Sequence, residues 1–212
     1  MKSIQSLLLV AALAAPFAAA NADQLGVQFS SPGTTFQNGD WSLGYEFSVS
    51  APLTVTGLAV YNANFDSGPI TVSDDVGLWT QGGSLIASGT VAAGTPDIVD
   101  PFFAAVAITP VVLGPGTYIV AAQNNGQNYA YDTVNLISAP GITYIQDEYI
   151  SSGSLQFPTA SSGITQAEGG AWFGGNIVVG TASAPDTAST WTLGLLGLAG
   201  IVAASRRQRA TV

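Results

Sequence analysis

Tyr45-Glu46-Phe47-Ser48-Val49-Ser50, then Ala51-Pro52, then Leu53-Thr54-Val55-Thr56-Gly57-Leu58-Ala59-Val60-Tyr61 is the stretch on which the fold turns. In its first segment apolar and polar side chains alternate strictly, the two-residue period of a strand that lays one face on a core. The last segment is rich in β-branched residues, and the proline between the two has no N–H to give a ladder, so Ala51-Pro52 reads as their turn. Working outward, 76–80, 84–91, 102–108, 117–122, 142–146 and 176–179 have the same texture. Turn signals separate them: Asn38-Gly39-Asp40, Gly82-Gly83, Gly114-Pro115-Gly116, Asn124-Asn125-Gly126 and Pro140-Gly141. No window sustains a 3.6-residue period. Many short strands at close spacing predict an all-β fold, an antiparallel β-sandwich of jelly-roll type.

The charges are few and oddly placed. The chain has 212 residues, Lys+Arg 4, Asp+Glu 13, no His and no Cys, and a formal net charge of −9. Only 8% of it is charged, against roughly a quarter in an average soluble domain. Lys2 stands at one end and Arg206, Arg207 and Arg209 at the other, so 3–205 holds every carboxylate and no cation. Such a body has nothing to neutralise phosphates, which argues against nucleic acid and anionic lipid headgroups as partners. Without His or Cys, zinc, haem, iron–sulfur and copper sites lose their usual ligands. Ser-His-Asp, Cys-His and Lys-based nucleophilic chemistry lose theirs as well.

The two ends read as signals. Residues 1–22 carry Lys2, the apolar run Leu7-Leu8-Leu9-Val10-Ala11-Ala12-Leu13 and the small-x-small site Ala20-Asn21-Ala22, the pattern of a secretory signal peptide with a mature start at Asp23. At the other end 187–205 is a 19-residue stretch without charge. As a helix at ~1.5 Å per residue it is about 28 Å long, enough to cross a hydrocarbon core. Arg206, Arg207 and Arg209 follow at once, which orients the tail to the cytoplasm and the body outward. Between the ends, 23–183 is the size of one domain, with 180–189 as spacer.

Ahead of that stretch stands Ala184-Pro185-Asp186-Thr187-Ala188. The order of short Pro-containing motif, apolar helix and Arg cluster in 184–212 resembles the C-terminal sorting domains of the PEP-CTERM and VPDSG-CTERM families. Set against Val-Pro-Asp-Ser/Thr-Gly, Pro185, Asp186 and Thr187 are kept, while Ala184 replaces Val and Ala188 replaces Gly. The resemblance implies cleavage by an exosortase after export, transient residence in the inner membrane, and a final place on the cell surface or in an extracellular matrix such as a biofilm. A plain single-span anchor, a Leu-Pro-x-Thr-Gly sortase signal and a GPI signal, which would not normally end in an Arg cluster, are rival readings of the tail. The body, too, is similar to an uncharacterised bacterial domain common in sorted surface proteins. The likeness rests on Tyr45–Tyr61, Val76-Gly77-Leu78-Trp79, Leu113-Gly114-Pro115-Gly116-Thr117-Tyr118 and Trp172-Phe173-Gly174-Gly175-Asn176. Where members of that family often have a His, this chain has Ser73-Asp74-Asp75.

Carboxylates, hydroxyls, amides and aromatics are the chemistry left. Ca²⁺ takes oxygen ligands alone, which makes Asp66, Asp74 and Asp75 the candidate metal ligands and calcium the one candidate cofactor. Asp97 with Asp100 and Asp147-Glu148 are further acidic groups. Tyr129, Tyr131 and Tyr149 sit among Asn, Gln and acids and are the candidate glycan platform. Trp79, within an apolar strand, and Trp172, beside Phe173, are expected in the core. Glycoside hydrolysis needs only two carboxylates, but nothing in the spacing marks such a pair, and the chain reads as no enzyme. The expectation is therefore an exported, surface-displayed structural, adhesive or matrix-associated protein, with the exosortase and secretion machinery as partners. The alternative is a module for binding exopolysaccharide.

Overall fold

The computed structural model describes residues 23–96 and 102–180. The strands are β1 (Gln24–Leu25), β2 (Val27–Gln28), β3 (Thr34–Phe36), β4 (Trp41–Val49), β5 (Leu53–Tyr61), β6 (Asp74–Thr80), β7 (Leu85–Val91), β8 (Phe103–Leu113), β9 (Gly116–Gln123), β10 (Tyr129–Tyr131), β11 (Ile137–Ser138), β12 (Ile142–Ser151) and β13 (Gly175–Val179). A single 3₁₀ turn covers Gln166–Glu168, and no α-helix forms among the described residues. The signal peptide, the sorting motif Pro185, Asp186 and Thr187, the apolar stretch after it and Arg206, Arg207 and Arg209 lie outside the described residues.

The fold is all-β, and every pair of strands is antiparallel. One sheet runs β12-β4-β9-β6-β7, a second runs β1-β13-β5-β8, and β10-β3 and β11-β2 form two-stranded ribbons. The alternation of β4 does what its pattern predicts: Tyr45, Phe47 and Val49 are buried in the core. There they meet Val55, Leu58 and Val60 of β5 and Ile177 of β13, so the two large sheets enclose one apolar interior. A register shift between Val55 and Gly57 changes the phase of β5 midway. The sheets approach closely where β13 crosses β9: a Cβ on Gly175 would lie 2.5 Å from the Ala121 carbonyl carbon. Pro110 sits inside β8, which tolerates it as an edge strand.

The outer face of the five-stranded sheet departs from the simple picture of a polar, wet surface. Ser42 and Glu46 of β4 are both buried. A strap formed by 152–164 lies across that face. Ser42 Oγ accepts the Gln156 N–H at 2.9 Å, Phe157 meets Trp79 of β6 edge-on at 6.1 Å, and Ala160 exchanges both backbone hydrogen bonds with Tyr149. Asp147 ends the strap by accepting the Ser162 and Ile164 N–H groups at 2.8 and 2.9 Å. Trp79 is thus buried, as expected, but under the strap and outside the central core.

The body has two distinct poles. Asp23, Pro52, Leu53, Pro140, Val179 and Gly180 line one hollow, so both ends of the described body lie together. β4 leads away from that pole, from Val49 back to Trp41, over about 26 Å at ~3.3 Å per residue. At the far pole its first residue meets the residues described next.

Candidate aromatic site

Asn38, Trp41, Leu43, Tyr129, Tyr149 and Trp172 line a cleft of about 180 Å³. They come from four separate parts of the chain. Trp41 opens β4, Tyr149 lies across from Leu43 near the end of β12, and Tyr129 opens β10 opposite Phe36 of β3. Trp172 arrives by a sharp turn: Gly169 and Gly170 have φ of 88° and 64°, and Trp172 itself has φ 53°. A bulky L-residue pays for the left-handed region. Here the turn sends Phe173 into the core, its N–H donating to Ala130 O at 3.1 Å, and leaves the Trp172 indole half-buried at the cleft.

The rings hold one another mostly edge to face. Trp172 lies 5.7 Å from Tyr129 at 73° and 6.3 Å from Tyr149 at 75°, and Trp41 meets Tyr149 at 6.1 Å and 76°. Tyr131 is tilted against the back of Trp172 at 4.6 Å, and Phe36, an exposed apolar residue, completes the cluster. Polar ties fix these rings. Asn38 Oδ1 accepts both the Trp41 indole N–H at 2.9 Å and the Tyr129 hydroxyl at 2.8 Å. An indole nitrogen only donates, so the oxygen of the amide must face it, and the Asn38 NH₂ is left as the donor at the rim. The Trp172 indole N–H donates to Ser162 Oγ at 3.2 Å. Burial raises the Tyr129 hydroxyl pKa, the Asn38 bond working against it.

The loop beneath is fastened by Asn124, whose Oδ1 accepts the Trp41 N–H at 2.8 Å and whose Nδ2 donates to Gln127 O at 2.9 Å. Next to it is a cavity of about 10 Å³ lined by Tyr61, Asp74, Asn124 and Gln127, among others. That is room for about one water. Asp74 accepts Asn125 Nδ2 at 2.6 Å and Gln127 Nε2 at 3.1 Å. Burial lifts its pKa to about 6, the two amides pull it down, and Asp75 adds to the rise.

The three proposed calcium ligands do not converge. Asp74 is buried with its amides, whereas Asp75 is exposed and accepts the Thr90 hydroxyl at 2.6 Å, and Asp66 is exposed in the 62–69 loop. Successive strand residues point to opposite faces, which separates Asp74 from Asp75. Among the described residues no three carboxylates gather as a metal group. Of the sequence's glycan candidates, Tyr129 and Tyr149 line the cleft, and Tyr131 is not in its lining but tilts against Trp172. Tyr129, expected at the surface, is buried to 3% exposure and shows the cleft only part of its ring. Trp172, expected in the core, is instead the ring that the others surround. Its left-handed backbone gives no signal in the residue types around it.

A second acidic feature lies on the strap-covered face. Glu46 of β4 and Glu148 of β12 are 6% and 7% exposed, the first bound by Gln81 Nε2 at 2.7 Å and the second by Gln146 Nε2 at 3.1 Å. Burial pushes Glu148 up to about 7, with Gln146 opposing and Glu46 and Asp147 reinforcing the shift.

An all-β, sandwich-like body with an aromatic cleft at one pole is the class that these observations define. Residues 30–168 match the family described as domain of unknown function DUF4082, and the chain belongs to it. The match ends before Trp172 and β13. No curated protein and no solved structure matches the chain.

Proposed function

We propose that the protein is an exported, surface-displayed, non-catalytic module, structural or adhesive, that makes its contacts through the aromatic cleft. The observation that carries this reading is the polarity of the body: Asp23 and Gly180 share one pole, and the cleft occupies the other. A chain tethered through the segment after Gly180 would hold the cleft about 26 Å farther from the membrane, at ~3.3 Å per strand residue. Exosortase cleavage after export, read from Pro185, Asp186, Thr187 and the Arg cluster, would then decide whether the module stays at the surface or joins the matrix. The cleft's lining holds no carboxylate, and the buried Glu46 and Glu148 face the other way, each on a glutamine.

The finer fold reading is a jelly roll. Counting β1, β4, β5, β6, β7, β8, β9 and β13 as first to eighth, the sheets run 1-8-3-6 and 2-7-4-5, with β12 added at an edge. That is the order of two interleaved Greek keys. The functional reading is tested in the native host by labelling intact cells with an antibody to the body. Surface labelling, and its loss with reduced cell aggregation when 184–212 is deleted, are expected. Protein confined to the cytoplasm would overturn it.

A further inference from the structure

We propose that the cleft is a binding site for a neutral saccharide, one sugar ring seated against Trp172 and Tyr149 with Asn38 at its edge. The inference rests on the cleft being the contact surface.

A sugar ring presents two kinds of surface, flat faces of C–H groups and a rim of hydroxyls that both donate and accept. The cleft offers matching parts. Its walls are the rings of Trp41, Tyr129, Tyr149 and Trp172, and its volume of about 180 Å³ is that of a subsite for one ring, well below the ~300 Å³ of an ordinary drug-sized pocket. Both indole N–H groups are already taken, Trp41 by Asn38 and Trp172 by Ser162, so the tryptophans present faces and no donors. A proline-rich peptide docking on aromatics would want such donors for its carbonyls. What remains at the rim is the Asn38 NH₂ and the Tyr149 hydroxyl, which has no hydrogen-bond partner among the described residues. A donor amide and an amphoteric phenol suit hydroxyls.

Charge narrows the class further. With no Lys, Arg or His from residue 3 to residue 205, nothing in the body can pair with a uronate, sulfate or phosphate. The lining holds no carboxylate to pair with an amino sugar's cation either. Uncharged sugar polymers fit the lining best. The edge-to-face ring contacts and the Asn38 clamp fix the walls before the ligand arrives, which cuts the ordering cost of binding.

The test uses the full chain in a sugar-free zwitterionic detergent, run in native gels containing dextran, galactomannan or mixed-linkage β-glucan, with alginate as the anionic control. Retardation by at least one neutral polymer and none by alginate is expected, together with a change in tryptophan fluorescence on titration with the same polymer. Trp172→Ala should weaken binding at least tenfold. Because Trp172 shapes a turn, Tyr149→Ala is the second variant: its pairing with Ala160 is by backbone alone, so the strap survives. It too should lose at least tenfold. Failure of all three neutral polymers, wild-type binding by both variants, or equal retardation by alginate would overturn the proposal. So would binding of a proline-rich peptide in place of any polymer. Cells that still aggregate through Trp172 without binding a neutral polymer would remove the saccharide and keep the adhesive reading. A chain that binds the polymer but never reaches the surface would do the reverse.

Discussion

The hydroxyl of Tyr45 donates to Oδ1 of Asn176 at 2.7 Å between the two large sheets, and both residues are wholly buried. The same amide accepts the Ile177 N–H at 2.9 Å and the Val27 N–H at 3.3 Å, and donates to Val27 O at 2.9 Å. One side chain therefore joins β4, β13 and the β2 ribbon. Replacing it by Asn176→Leu leaves several buried groups unsatisfied at about 1–3 kcal/mol each. A loss of about 3 kcal/mol or more is expected, a fall in Tm of roughly 6–12 °C for a chain of this size. Tyr45→Phe removes one bond and leaves Asn176 its backbone partners, so it should cost only about 1 kcal/mol. Thermal melts giving equal losses for the two variants would show that the amide is not the hub.

Stability should fall as pH rises from about 4 to about 7. Glu148 is lifted from 4.5 to about 7 and Asp74 from 3.8 to about 6, in both cases chiefly by burial. A carboxyl whose pKa is higher in the folded chain stabilises fully below its unfolded value and loses that contribution as pH passes the folded one. Glu148→Gln stays neutral throughout, so the variant should melt higher than the parent at pH 8 by a few degrees and match it near pH 4.5. A parent whose Tm is the same at pH 5 and pH 8, or a Glu148→Gln profile parallel to the parent's, would count against this.

Salt should act in the stabilising direction. The described body holds carboxylates and no cation, so compaction brings like charges together with nothing to offset them. Screening at ~0.15 M acts over about 8 Å, which covers Glu46 and Glu148 and the adjacent Asp74 and Asp75. Tm is expected to rise as sodium chloride is raised from low levels at pH 8. Calcium chloride at equal ionic strength should add little more, since Asp66, Asp74 and Asp75 do not converge. A calcium-specific rise that EDTA reverses would restore a metal site.

The strands were legible where a residue's neighbours in sequence decide its face. Alternation in Tyr45–Val49 and the turn at Ala51-Pro52 located β4 and β5, and β5 has the bounds that its sequence predicts. The short ribbons β2, β3, β10 and β11 were not visible, because two or three residues carry no period and their pairing partners lie about a hundred residues away. The cleft was half legible for the same reason. Tyr129 and Tyr149 stand out as aromatics in polar surroundings, but Trp172 reads as core beside Phe173 until its φ of 53° is known. Trp79 shows the converse: its burial comes from Phe157, in a strap whose sequence has no strand pattern.

Processing at both ends is the prediction that the termini make. Intact-mass measurement of protein recovered from the cell surface or medium should give a chain that starts at Asp23 and ends before Trp191, in keeping with the Ala20-Asn21-Ala22 site and the Pro185-Asp186-Thr187 motif. Mature surface protein that still carries Arg206, Arg207 and Arg209 would leave a simple anchor in place of sorting.

At residue 172 the usual order of glycine and alanine should be reversed. In most positions glycine is the less stable of the two, because it loses more backbone freedom on folding. Trp172 has φ 53°, where an L-residue with a Cβ pays about 1–2 kcal/mol and glycine pays nothing. Trp172→Gly and Trp172→Ala both lose the indole, its bond to Ser162 and its contacts with Tyr129, Tyr131 and Tyr149, so those losses cancel in the comparison. The glycine variant should then melt above the alanine variant by about 2–4 °C, the equivalent of roughly 1 kcal/mol. Both should bind a neutral polysaccharide equally poorly, since the wall is gone in each. An alanine variant at least as stable as the glycine variant would mean that the turn relaxes once the indole is removed. The left-handed backbone would then be held by the ring's contacts in the cleft, and not by the Gly169-Gly170 turn that precedes it.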